Sequence, residues 1–487
     1  MDIRASSLAA ALLTAAATTG AQAPAAAPDA KSQRAELKVQ DAPWKGDLDG
    51  MAKRRRIRAL VVRSRTAYFL EKGQQGGTSY EFLKAFEDDL NKRLKTGKLR
   101  VHVVIIPTSR DRLLPALNEG RADLAVAELT ITPERERVVD FSEPFFRGVK
   151  EVVVTGPQSP NVAALDDLAG QEVFARRSSS YWQHLENLNR KFAAAGKPAV
   201  KLRPAPETLE DEDLLEMLNA GLFKIAVVDR YMALLWAKIF KGITPHEDVA
   251  VNEGGEFAWA FRKQSPRLKA GVDAFAKSHG QGTLFGNTIV KRYIGSTRFV
   301  KDATSPAEIK KFQALVDLFR TYAGKYELDA LLVMAQGYQE SRLDNSVKSR
   351  VGAVGVMQVM PATGREMKVG DIRQLEPNIH AGVKYIRFME DQYFANEPMD
   401  PVNKALFAFA SYNAGPGRVR QLRRLAKQRG LDPNVWFNNV EVIAAERIGA
   451  ETVTYVSNIY KYYLAYKLVV EDMEQRQKAR DTLMKPS

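Results

Sequence analysis

The sequence predicts a multidomain chain, with an α/β sheet domain first and a mainly helical domain after it. Three observations carry that prediction. At 487 residues the chain is long enough for two or three domains, each with a sizeable core. From Ile57 onward, short apolar strands alternate with helical stretches, the pattern of an α/β sheet. After about Lys301 the strands stop, and apolar residues recur at helical spacing, as at Ile309, Phe312, Leu315, Val316 and Phe319.

The first 23 residues hold one Arg, a short Ala/Leu-rich run and an Ala-Gln-Ala end, the layout of a secretory signal peptide. That run is too short and too rich in Ala and Thr for a membrane span. Residues 24–50 read as a flexible leader, Ala/Pro-rich and then of mixed charge. Residues 51–300 form the sheet domain, 301–475 the helical domain and 476–487 a tail. The basic cluster Lys53-Arg54-Arg55-Arg56 leads into the first strand.

A net charge of +14 calls for an anionic partner such as a wall polymer or a membrane surface. No nucleic-acid motif accompanies that charge, so nucleic acid is not expected as a partner. The chain has no Cys, which excludes disulfides, a thiolate nucleophile and a lipid-modified N-terminal Cys. The five histidines are scattered without ligand spacing, so neither a metal nor another cofactor is expected.

In the first half, Ile57 to Val62 and Val101 to Ile106 read as buried strands around a helix from about Ser79 to Leu94. A short helix at Leu113–Leu117 ends at Gly120, and Asp123 to Ala127 is the next strand. Thr132-Pro133 has the chemistry of a helix start, a hydroxyl cap followed by Pro in the first turn. An Arg placed there, Arg135, can clamp a carboxylate with two parallel hydrogen bonds. The run from Leu113 through Ala127 into Thr130–Phe145 resembles the extracellular solute-binding proteins that capture amino acids. The resemblance implies a two-lobed periplasmic-binding-protein fold. Lobe 1 would span about 51–150 and 258–300, and lobe 2 about 151–257. It also implies that Thr130 and Arg135 hold a ligand carboxylate, that Ser179 supplies a hydroxyl contact, and that Asp229 binds the ligand amine. An amino-acid-like or muropeptide ligand follows.

The second half centres on Ala335 to Pro361. An apolar helix delivers Glu340 at its C-terminal end, followed by a polar loop and the small residues Gly352, Ala353 and Gly355. A carboxylate after an apolar helix can be desolvated, which raises its pKa and suits it to general acid work. Asp344, four residues on, is a second carboxylate within reach of the same helical face, although Asp344-Asn345-Ser346 has turn composition. Composition and spacing alone leave one-carboxylate and two-carboxylate chemistry both open.

Glu340-Ser341, Ser349, the run Gly352 to Pro361, Ser411-Tyr412-Asn413-Ala414-Gly415 and Glu451-Thr452 leading to Tyr455 fall in one order. That order resembles the lysozyme-like domain of the soluble lytic murein transglycosylases. The resemblance implies a lyase of peptidoglycan in the periplasm, peripheral on the outer membrane. Glu340 would be the only catalytic group. Ser341, Ser349, Gln358, Met360, Tyr412 and Asn413 would contact the glycan, with Glu451 and Tyr455 shaping the cleft. Two alternatives remain: a solute receptor with an inactive second domain, and a hydrolytic muramidase.

Overall fold

The computed structural model describes residues 43–71, 73–295 and 306–483. The expected signal peptide, most of the expected leader, the expected joint at 296–305 and the last four residues lie outside the described residues.

Eleven strands occupy the first half: β1 Arg56–Val61, β2 Phe69–Glu71, β3 Gln74–Gly76, β4 His102–Pro107, β5 Leu124–Thr130, β6 Asp140–Phe141, β7 Phe146–Thr155, β8 Glu172–Arg176, β9 Lys201–Ala205, β10 Ile225–Asp229 and β11 Thr244–Phe261. Nine form one sheet in the order β4-β1-β5-β11-β7-β10-β8-β9, with β6 on β11, while β2 and β3 make a separate hairpin. β1 is parallel to β4 and β5, and β8 is parallel to β9 and β10. The long antiparallel strands β7 and β11 carry the chain between the two parallel ends. This is the expected two-lobed arrangement.

Lobe 1 has a core on each face of its sheet, one with Phe86, Trp259 and Phe275, the other with Leu113, Leu117 and Ala260. Lobe 2 packs Leu185, Leu215 and Trp236 against β7, β8 and β10. Helix α1, Thr78–Leu94, lies on lobe 1 and buries Phe82, Phe86 and Leu90 at helical spacing.

Two expected boundaries move. The sequence predicts a leader up to residue 50, but Leu48–Lys53 is a helix capped by Asp47, whose carboxylate also takes the amides of Arg267 and Leu268 at 2.8 Å each. The Arg54 guanidinium sits 3.8 Å from the Trp44 ring centroid. A polar, mixed-charge sequence here is ordered because its charges cap and pair with lobe 1. The sequence predicts a tail from residue 476, but one helix runs from Ala450 to Leu483 without a break.

The second half is helical. Its main elements are α2 Ala330–Ser341, α3 Leu375–Phe394, α4 Pro401–Ala414, α5 Pro416–Gln428 and α6 Ala450–Leu483. A single core built on Phe319, Met357, Phe407, Trp436 and Tyr463 joins them. The two halves are in contact. The Tyr466 hydroxyl on α6 donates to the Gly73 carbonyl at 2.7 Å, and Lys461 pairs with Glu87 of α1 at 3.1 Å. Arg55, in the basic cluster before β1, pairs with the buried Glu441.

Candidate active site

Helix α2 is held at both ends. Asp329 caps its start, accepting from the amides of Leu331 and Leu332, and receives the Tyr463 hydroxyl at 2.8 Å. Leu332 through Tyr338 are all buried, so the helix is embedded in the core as its apolar sequence predicts. At the other end Arg342 and Leu343 both take left-handed backbone, with φ of 59° and 63°, and turn the chain sharply after Ser341. Glu340 thereby stands on the last turn of a rigid element.

Its carboxylate accepts a hydrogen bond from the Tyr455 hydroxyl on α6, which also receives the amide nitrogen of the fully buried Gln336 at 3.1 Å. Burial pushes the Glu340 pKa up to about 7, while the Tyr455 and Gln336 hydrogen bonds hold it from rising further. A carboxyl that is partly protonated at neutrality can both give and take a proton there.

The loop after α2 is organised by Asn378, a fully buried residue of α3. Its amide donates to the carbonyls of Val354 and Ile372 at 2.8 Å each, and its oxygen accepts from the Met357 amide at 2.8 Å. Gly355 lies so near that a Cβ there would be 2.3 Å from the Asn378 amide nitrogen, and its φ is +80°. Tyr412 on α4 donates to the Met357 carbonyl at 2.7 Å and fixes the same loop from the other side.

Among the expected glycan contacts, Ser349 is half-buried, with its hydroxyl oxygen accepting from the Ala353 amide at 2.9 Å. Met360 is 41% exposed at the start of the Pro361–Met367 helix. Asn413 accepts from Thr452 at 2.6 Å, which ties α4 to α6.

One expectation changes. Ser341 is buried, and its hydroxyl contacts the carbonyls of Val356 and Gly337, so it ties helix to loop and has no face toward a glycan. Gln358 turns its amide nitrogen onto the Val347 and Gly355 carbonyls at 3.0 and 2.8 Å, holding the loop. Glu451 is exposed, and no hydrogen bond or ion pair ties it to another described residue; the side chain that reaches Glu340 from α6 is Tyr455, one turn later. Asp344 is exposed and accepts from its own Ser346 amide and hydroxyl at 2.8 and 2.7 Å, which lowers its pKa and closes a local turn. Asn378 and Gln336 carry no sequence signal as site residues, because a buried amide is not distinguished there from its apolar neighbours.

In the first half, Thr130, Arg135, Ser179 and Asp229 line one cavity of about 270 Å³ between the lobes. Arg110, Glu128, Arg176, Ser180 and Tyr181 share it. Arg135 is buried and bridges the lobes, donating to the Thr130 carbonyl at 2.8 Å and the Ser178 carbonyl at 2.9 Å. Burial and the nearby Arg110 lower its pKa to about 10. Ser179 caps the following helix by accepting from the Trp182 amide and donates to the Arg176 carbonyl at 2.6 Å. Asp229 accepts from Tyr181 at 2.9 Å, and its second oxygen is buried with no partner. Burial, together with Glu151 and Asp211, pushes its pKa well above the ordinary carboxylate range. Further contacts close the cleft: Arg110 with Glu210 at 2.8 Å, Arg65 with Glu216 at 2.9 Å and Tyr231 with Glu128 at 2.9 Å.

Two family models match in this order along the chain. Residues 63–296 match "Bacterial extracellular solute-binding proteins, family 3", and residues 317–434 match "Transglycosylase SLT domain". The second match contains Glu340, Ser349, Met360, Tyr412 and Asn413, while Tyr455 lies beyond it. Similar curated proteins include a "Membrane-bound lytic murein transglycosylase F" of Desulfosudis oleivorans, 28% identical over 84% of this chain and 89% of its own length. A protein of the same name from Pseudomonas fluorescens strain Pf0-1 is 26% identical over 84% of each chain. Among solved structures, an ancestral arginine-binding protein bound to glutamine aligns with a TM-score of 0.40 at 24% identity, covering 50% of this chain and 98% of that one.

Proposed function

We propose that this chain, a solute-binding domain followed by a transglycosylase SLT domain as in membrane-bound lytic murein transglycosylase F, cleaves peptidoglycan glycan strands without water. The bond cut joins N-acetylmuramic acid to N-acetylglucosamine, and the product carries a 1,6-anhydro-muramic end. One observation carries this reading: a half-buried carboxyl, Glu340, with its pKa raised to about 7 and held by Tyr455, while Asp344 is exposed and turned into its own loop.

A two-carboxylate hydrolase needs its second group flanking the bond. Asp344 closes a local turn with Ser346, and the resemblance to the soluble lytic murein transglycosylases implies that Glu340 serves twice. Protonated Glu340 gives its proton to the glycosidic oxygen as that bond breaks, and the sugar's own N-acetyl oxygen closes on the anomeric carbon. The Glu340 carboxylate then takes the proton of the C6 hydroxyl, whose oxygen displaces the N-acetyl oxygen and closes the anhydro ring. Proton and bond counts return to the start. The Tyr455 hydroxyl, donating to Glu340, stabilises the carboxylate between the two steps. Ser349, Met360, Tyr412 and Asn413 border the loop and helix ends where the glycan lies.

The first domain senses a small ligand with a free carboxylate and amine. Arg135 and Arg110 suit the carboxylate, and the unpartnered oxygen of Asp229 suits the amine. The protein acts in the periplasm, peripheral to the outer membrane. Among the described residues no helix is long and apolar enough to cross a membrane. Mass spectrometry of products from purified murein tests the cleavage: anhydro ends are expected, and reducing ends alone would favour a muramidase.

A further inference from the structure

Helix α3 places an aromatic row beside Tyr412 that the reaction above does not use. The Tyr385 ring lies 5.5 Å from Tyr412, edge to face. Phe388 follows one turn later, its centroid 6.1 Å from Tyr385 and the two planes within 13° of parallel. Tyr393 stands 6.4 Å beyond, perpendicular to Phe388, and the Arg420 guanidinium covers it at 5.4 Å. The row therefore ends in a wall, with Tyr385 and Phe388 as its platform.

Two features distinguish this row from ordinary packing. Phe388 is 43% exposed, and it is the one aromatic among the strongly exposed large apolar side chains of the described residues. Tyr385 is half-buried, yet its hydroxyl has no hydrogen-bond partner among the described residues. The Glu366 carboxylate, on the Pro361–Met367 helix, is near enough to help raise the Tyr385 pKa, after burial and Tyr393. A flat apolar surface, a free hydroxyl and a nearby carboxylate match a pyranose ring, which offers an apolar C–H face and hydroxyls at its rim.

We infer that Tyr385 and Phe388 form a distal glycan subsite, which stacks a sugar ring of the same strand whose bond is cut at Glu340. The inference rests on the glycan-cleaving reading, because continuity from Tyr412 is what joins the platform to the cleft. The occupant is a neutral amino-sugar ring of the substrate strand. Only strands long enough to extend past Tyr412 reach it, so the subsite sets a preference for length.

The test uses the full chain and peptide-free murein glycan strands fractionated by length. Stacking contacts of this kind contribute enough that Phe388→Ala should raise KM on long strands about 3- to 10-fold. The loss on the shortest strands that are still cleaved should be clearly smaller, and Phe388→Trp should restore the long-strand KM. An equal loss at every length, or none on long strands, would overturn the subsite while leaving the enzyme reading intact. Failure of the wild type to cleave any length would overturn the glycan reading and the subsite with it.

Discussion

Glu340 is suited to general acid work because burial withholds water from its charged form. Its raised pKa, about 7, has a kinetic sign: the step that needs the protonated carboxyl should weaken as pH rises through about 7. A pH profile of kcat/KM should show that descending limb. Tyr455→Phe removes a hydrogen bond that favours the carboxylate, so the limb should move to higher pH while turnover falls. An unmoved limb would separate Tyr455 from the proton chemistry. Glu340→Gln should lose about 10²–10⁴-fold in rate while still binding glycan. The same substitution should stabilise the fold at alkaline pH. A raised folded pKa favours folding fully below the unfolded value of 4.5, and that advantage fades as pH rises through about 7. Relief of the ionisation penalty is up to about 3 kcal/mol well above pH 7, read by denaturant unfolding.

Helix α2 and its loop act as one element, and Asn378 is the pin. Asn378→Ala removes three hydrogen bonds to Val354, Ile372 and Met357 and leaves buried backbone groups unmet. A loss of about 2–3 kcal/mol in unfolding free energy is expected, with activity falling further as the loop drifts from Glu340. Stability equal to the wild type would show that the loop is held elsewhere. At this scale the sequence was readable where chemistry marks positions. The apolar run of α2, its terminal Glu340 and Thr132-Pro133 all appear where pattern places them. Ser341 reads as a glycan contact because motif position does not give side-chain direction; its hydroxyl points inward to the Val356 and Gly337 carbonyls. Asn378 and Gln336 were silent, since a buried amide is defined by partners far away in sequence.

At the scale of the molecule, the two halves were legible as a change from alternating to helical pattern, but their contact was not. α6 packs against lobe 1 through Tyr466, Lys461 and the β4 residue Val104, pairings between residues hundreds of positions apart. A chain beginning at about Lys301 should fold and cleave murein, because nearly all of its core comes from its own helices, yet melt earlier than the full protein with α6 uncovered. Burial opposes ionisation of Glu87, but Lys461, His102 and the Val103 amide bring its pKa down to about 2. Its contribution to the joint is complete above its unfolded value of 4.5 and disappears as pH falls through about 2. In the cleft between the lobes, Arg135→Ala should weaken a carboxylate-bearing ligand by about 2–4 kcal/mol in calorimetry. Equal binding by both proteins would remove Arg135 from the ligand site.

The central claim is that one carboxyl performs both proton transfers. Mass spectrometry of muropeptides released from purified murein by the wild type, Glu340→Gln and Asp344→Asn tests it most directly. The account predicts anhydro-muramic ends from the wild type, the same products within a few-fold from Asp344→Asn, and almost none from Glu340→Gln. Reducing ends from the wild type, with Asp344→Asn as inactive as Glu340→Gln, would contradict it and leave a two-carboxylate hydrolase in its place.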